Sequence, residues 1–179
     1  MKVLACSFKC DPGRGSEDSL GWNRVTMLAG LHEVWVLTQD SPEKRQRIAE
    51  ALATDPVPNL HIEYVLGPPR MKNPTRPKPL AWFLSNFTAA REYIQWSAVA
   101  AQRANEIATR VRPDVMHHIS YAGLYHGSCL SSVPKIPFLM GPVGSGVSTH
   151  PQFYPYLEED AASERARTMA LNASLKLPG

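Results

Sequence analysis

Short apolar segments alternate with helix-forming segments through the first third of the chain, and this alternation constrains the fold most. The segments KVLACSF (2–8), EVWVLT (33–38) and LHIEYVL (60–66) have the length and composition of strands. Residues 16–31 and 41–54 between them are predicted to be helices. This order is typical of a parallel sheet with helices packed on its faces.

The same pattern continues to the end of the chain. A long helix is predicted from Pro79 to about Val111, two more strands at 113–119 and 136–140, and a last helix over 158–177. The apolar seam of the long helix is predicted at Phe83, Phe87, Ala90, Ile94, Ala101, Ala104, Ala108 and Val111. The expected fold class is α/β, a Rossmann-like parallel sheet flanked by helices in a single domain, 1–179.

Two helix starts carry capping signals. Ser16 is predicted to cap the first helix, with Glu17 and Asp18 at the positive end of its dipole. Ser41 is predicted to cap the second helix, with Pro42 at the first helical position.

Composition excludes several classes of protein. The 179 residues are 44% hydrophobic and carry a formal net charge of +3, which does not indicate nucleic-acid binding. No apolar run is long enough to span a bilayer or to form a signal peptide. The three cysteines lack the paired spacing of a zinc site or a disulfide framework, so we expect reduced thiols, no metal site and a cytoplasmic protein.

Two glycine-containing loops follow predicted strands. In FKCDPGRGSED, Gly13 and Gly15 match the first two glycines of a dinucleotide fingerprint, but Asp18 occupies the third position. Ligand contact and a plain strand-to-helix connection both remain open for this loop. The second loop holds Gly141, Gly144, Ser145 and Gly146, and it lies at the same edge of a parallel sheet. Tight turns are the alternative for both loops.

The adjacent residues His117 and His118 end the fourth predicted strand. Neighbouring strand residues point to opposite faces, so we expect one imidazole in the interior and the other facing a cleft. For the same reason the pair is not expected to bind one metal ion.

A basic, proline-rich stretch precedes the long helix. Arg70, Lys72, Arg76 and Lys78 stand close to Trp82. Basic residues beside aromatic ones indicate an anionic membrane surface or a phosphorylated or lipid-linked acceptor. The alternative is a solvated loop that leads into a core helix.

Several motifs, in order, resemble one family over residues 1 to about 155. The start of the chain, with "CDPGRGSED", "GW" and "HEVWVLT", and the later "PDVMHHISYAGLYHG" and "IPFLMGPVGSG", resemble the N-terminal half of GT-B glycosyltransferases, specifically the retaining family-four (group 1) enzymes. The resemblance implies an acceptor-side domain that faces a donor-binding domain across a cleft. It also implies a UDP- or GDP-sugar as co-substrate, a sugar or lipid-linked acceptor, and no tightly bound cofactor or metal.

The resemblance assigns roles to the loops and the histidines. Gly13, Gly15 and Ser16, in the loop that also holds Glu17, are expected near the donor diphosphate. His117 and His118 are expected near the sugar and the acceptor, as the catalytic candidates. The cleft floor is expected at Gly141, Gly144, Ser145 and Gly146.

The chain departs from the family pattern at Ile119, where many members have His, and at Ser145 and Val147, where the pattern has Gly and Glu. It ends at Gly179, so the donor-binding domain is expected in cis or in trans, and the 179 residues alone are expected to be inactive. A peripheral position at the inner membrane face is the second expectation for location.

The alternative function is a stand-alone Rossmann-like module that binds a glycan or a partner without catalysis. A nicotinamide-dependent oxidoreductase is weakly supported, because the third fingerprint glycine is missing.

Overall fold

A five-stranded, all-parallel sheet forms the centre of the molecule. The computed structural model describes residues 1–67, 78–121, 127–143 and 148–174, with the backbone alone over 78–89. The strands are β1 (Lys2–Ser7), β2 (Glu33–Gln39), β3 (Leu60–Val65), β4 (Val115–Ser120) and β5 (Phe138–Met140). Their spatial order is β3-β2-β1-β4-β5. This is the Rossmann-like α/β fold that the strand–helix alternation predicts.

In the described ranges, four α-helices accompany the strands: α1 (Ser16–Ala29), α2 (Pro42–Thr54), α3 (Lys78–Val111) and α4 (Ala161–Ser174). Strands β4 and β5 begin two residues later than predicted. The last helix also begins later, because two short 3-10 turns, Pro151–Tyr156 and Glu158–Asp160, precede it. The predicted end of that helix, residues 175–177, lies outside the described residues.

The sheet separates two apolar layers. On one face, Leu4, Cys6 and Leu37 pack against Tyr93 and Trp96 of α3. On the other face, Val3, Ala5, Val34 and Val36 pack against Val25 and Ala29 of α1. Alternate residues of one strand serve opposite layers, as the two-residue period of a strand requires. The central strand β1 is therefore apolar on both faces.

The capping prediction is confirmed for α2 and wrong for α1. The Ser41 side chain accepts a hydrogen bond from the Lys44 N–H, and Pro42 opens the helix. Helix α1 instead has Gly15 at its N-cap, with no side-chain cap, and Ser16 is the first helical residue. Glycine takes this position because the backbone there has φ +35°, which L side chains rarely adopt.

Within the described residues, none of the helices combines the length and the apolar composition that crossing a membrane requires.

Candidate functional site

The strand order reverses between β1 and β4, and this reversal marks the place where open parallel sheets bind ligands. The chain builds β1, β2 and β3 outward on one side and then returns to place β4 and β5 on the other. The loops after the two central strands therefore diverge, and a crevice opens at their carboxyl ends. The β1–α1 loop, residues 8–15, and Tyr121, directly after β4, lie at this edge.

The β1–α1 loop presents its glycines to solvent. Gly13 and Gly15 have φ of +73° and +35°, and no atom lies within 4 Å of where a Cβ would stand at either position. The loop closes onto the helix through Ser19, whose N–H and hydroxyl both donate to the Arg14 carbonyl. Since α1 has no side-chain cap, its first N–H groups lack the side-chain acceptor that Ser41 supplies to α2.

Glu17 connects this loop to the end of β4. Its carboxylate accepts a hydrogen bond from the Tyr121 N–H, with 2.7 Å between Oε1 and N. Tyr121 has φ +59°, an uncommon conformation for a bulky residue, and such strain is concentrated at functional sites. A carboxylate repels phosphate, so Glu17 is placed to position Tyr121 rather than to bind an anion directly.

A buried serine pair holds the loop to both central strands. The Ser7 and Ser120 hydroxyls lie 2.9 Å apart, and both contact the backbone of Lys9: its carbonyl accepts from each hydroxyl, and its N–H donates to Ser120. Gly21 of α1 packs directly against Ser7 and Lys9. A Cβ on Gly21 would lie 2.0 Å from the Lys9 carbonyl oxygen and 2.5 Å from the Ser7 hydroxyl. The helix approaches the loop this closely because residue 21 is glycine.

The two histidines of β4 face opposite sides of the sheet, as their adjacency predicts. His118 is fully buried on the α3 side, where its Nδ1 lies 2.9 Å from the Ser128 hydroxyl and its ring meets Tyr93 edge-on. Its Nε2 has no hydrogen-bond partner among the described residues. Burial lowers the pKa of His118, so the imidazole is neutral at pH 7.

His117 lies on the α1 side and is only half-buried. Its Nε2 stands 2.9 Å from the Gly141 carbonyl oxygen, so that nitrogen carries the proton and donates. Burial lowers the pKa of His117 as well. Gly141, directly after β5, is thereby joined to β4. Gly144, Ser145 and Gly146 of the same predicted cleft loop lie outside the described residues.

A polar pocket of about 720 Å³ lies beside the glycine loop, at the carboxyl ends of β1, β2 and β3. Its four basic lining residues are Lys9, Arg14, Lys44 and Arg47. Its four acidic lining residues are Asp11, Asp18, Asp40 and Glu43. We call this cavity the polar pocket. Among the described residues, its charged lining groups balance to zero.

Two buried charges form one wall of the polar pocket. Asp11, only 4% exposed, makes a bidentate ion pair with Arg47. Lys44, 5% exposed, donates from Nζ to the Phe8 carbonyl and the Thr38 hydroxyl. Burial lowers the pKa of Lys44. Charges this deeply buried are held in place by their hydrogen bonds.

The basic stretch lies largely outside the structure. Arg70, Lys72 and Arg76 fall in residues 68–77, which are outside the described residues. For Lys78 and Trp82, the backbone places both residues in the first turns of α3.

Sequence reasoning missed Ser7, Ser120, Tyr121 and Ser128, and it missed the charged wall of the polar pocket. The one sequence feature that pointed to this charged wall was Asp11, a charged residue within the glycine-containing β1–α1 loop. Its partner Arg47 stands 36 residues away.

Comparisons with known proteins add no assignment: no protein-family model and no curated protein matches the chain. Among the residues that the structure describes, no group of three or more His, Cys, Asp or Glu is arranged to hold a metal ion.

Proposed function

We propose that the chain is the acceptor-side domain of a retaining glycosyltransferase that uses a UDP- or GDP-linked sugar, and that it works with a donor-binding domain. The observation that carries the proposal is the uncapped start of α1 at the point of strand reversal. Free N–H groups at a helix N-terminus attract phosphate, and exposed glycines let a ligand approach the backbone. The motif resemblance supplies the reaction type.

The histidines suit the sugar side of such a reaction. Both are neutral at pH 7, because burial lowers the pKa of each. A neutral imidazole can donate to or accept from a hydroxyl, while it adds no charge beside a departing diphosphate. His117 is half-buried, whereas His118 is fully buried, so of the two rings only that of His117 has surface that a sugar can reach. We therefore assign the sugar-contacting role to His117 and a positioning role to His118.

The diphosphate contact is tested by following backbone amide resonances during titration of the purified chain with inorganic diphosphate, UDP and GDP. We expect salt-sensitive shifts at Gly13, Gly15 and Ser16 at millimolar ligand. Ser16→Asp should abolish these shifts, because a carboxylate at the first helical residue repels phosphate while Gly15, with φ +35°, is left unchanged. Ser16→Ala should preserve them, because Ser16 provides no cap. Unshifted amides at millimolar diphosphate would contradict the proposal.

A stand-alone module that binds a glycan without catalysis is the second candidate. The polar pocket favours it, because the described residues that line this cavity all belong to one sheet edge and its adjoining helices within this chain. Glycan binding together with unshifted loop amides would favour this candidate. The membrane-surface role of Arg70, Lys72, Arg76, Lys78 and Trp82 stays a prediction.

A further inference from the structure

We propose that the polar pocket binds an uncharged polyhydroxy compound, a monosaccharide or a cyclitol, through paired contacts to carboxylates and cations. The binding of such a compound is inferred from the geometry of the polar pocket and is tested separately. That the bound compound is the acceptor of sugar transfer rests on the proposed function.

The charge pattern of the polar pocket selects the class of ligand. An anion such as phosphate would meet the four carboxylates, and a cation would meet the four basic groups. Like charges brought together in this way repel, so the lining disfavours either kind of ion. A hydroxyl group both donates and accepts, so it can bond a carboxylate on one side and an ammonium or guanidinium on the other.

The wall of the polar pocket is preorganised, while part of its rim is free to bind. Asp11 is paired with Arg47, and Asp40 is paired with Arg45 by a second bidentate contact. In the described part of the chain, four of the charged lining residues take part in no ion pair: Lys9, Arg14, Asp18 and Glu43. Two cations and two carboxylates therefore line a cavity whose other charges are already paired or hydrogen-bonded.

Size and apolar contact agree with a sugar-sized ligand. A volume of about 720 Å³ lies within the usual range for small-molecule sites, roughly 300–1,000 Å³. Leu66 lines the same cavity with a mostly exposed side chain, which offers an apolar surface to the C–H face of a sugar ring. Ser41 adds a hydroxyl at the start of α2.

The test is saturation-transfer NMR and calorimetry on the full chain with glucose, N-acetylglucosamine and myo-inositol, against glucose 6-phosphate and inorganic phosphate. We expect at least one uncharged compound to bind at millimolar concentration. Asp18→Asn with Glu43→Gln should weaken that binding about tenfold or more, since hydrogen bonds to charged groups are lost. Glu50→Gln is the matched control, because Glu50 lies exposed on α2, bonded to Gln46 and outside the polar pocket.

Three results would overturn the inference: no uncharged compound binds, a phosphorylated compound displaces the sugar from the polar pocket and binds there more tightly, or the double variant binds as well as the control. Thermal denaturation of each variant shows whether it is folded. Loss of sugar binding with intact diphosphate shifts at Gly13–Ser16 rejects this inference alone. Intact sugar binding without those shifts rejects the proposed donor contact alone.

Discussion

The hydroxyl oxygens of Ser7 and Ser120 lie 2.9 Å apart, and this contact joins the carboxyl ends of the two strands between which the sheet reverses. Both side chains are buried, and both also bond the backbone of Lys9. The first turn of the glycine loop is therefore held by β4 as well as by β1. Stability and the shape of the candidate site depend on the same pair.

Ser120→Ala is expected to lower the free energy of unfolding by about 1–3 kcal/mol, because the Lys9 N–H loses its acceptor and the Lys9 carbonyl loses one of its two donors. Ser19→Ala is the matched control. Its hydroxyl also bonds a loop carbonyl but is exposed, so its removal should change stability by less than about 0.5 kcal/mol. Urea denaturation measures the free energy of unfolding of both variants. Equal losses would show that Ser120 does not stabilise the loop more than Ser19 does.

Gly21→Ala is expected to cost at least about 1–3 kcal/mol, because the new methyl group would overlap the Lys9 carbonyl and helix and loop must separate. Gly30→Ala is the control: its Cβ would have its nearest contact at 3.4 Å, and the backbone there is already helical. That change should be neutral or stabilising by up to about 1 kcal/mol. A native melting temperature for Gly21→Ala would contradict the observed approach of α1 to the loop.

The succession of strands and helices and the common sheet edge were predicted from the sequence, because short apolar segments and turn residues are local signals. The spatial order of the strands, β3-β2-β1-β4-β5, was not predicted. The inward face of α3 was predicted less well. Ile94, expected in the seam, is half-exposed, whereas Tyr93 and Trp96 are fully buried. These aromatic side chains surround Phe8 with ring centroids 5.3 and 4.9 Å away. Tertiary packing of large rings thus outweighed the spacing of smaller apolar residues.

Only part of the candidate site could be predicted from the sequence, for a related reason. Chain order alone places Gly13, Gly15 and the histidines at one edge of the sheet. The polar pocket depends on pairs such as Asp11 with Arg47, which are distant in sequence and meet only when α2 packs beside the loop. No local pattern encodes such a pair.

Ser41→Ala is expected to cost about 1 kcal/mol, since it removes the side-chain cap of α2. Ser16→Ala should leave stability within about 0.5 kcal/mol of the parent, because Ser16 does not cap α1. Denaturant midpoints of the two variants make the comparison. A larger loss for Ser16→Ala would restore the capping role that the sequence predicts.

The cysteine thiols are expected to be unreactive in the folded protein. Cys6, Cys10 and Cys129 are all buried, and burial raises the pKa of Cys10 to about 12. The hydrogen bond between the Cys6 and Cys129 thiols, with Sγ atoms 3.2 Å apart, and burial together raise the pKa of Cys6. Since thiolate is the reactive form, an aromatic disulfide reagent at pH 8 should label these thiols at the unfolding rate. Rapid labelling of the native chain would contradict their burial, and labelling in denaturant gives the full count.

The buried imidazole of His118 is expected to make the protein less stable as the pH falls. Burial lowers its pKa in the folded state, so below its ordinary value of about 6.5 the unfolded chain binds more protons. The free energy of unfolding should therefore decrease as the pH is lowered through this value. His117, whose pKa burial also lowers, contributes in the same direction. His118→Gln should reduce the change in the free energy of unfolding with pH. His117→Gln should leave the part of that change that comes from His118. NMR titration of the imidazole resonances uses the parent protein and so needs no folded variant. A pKa of about 6.5 or higher for His118 would contradict the expectation.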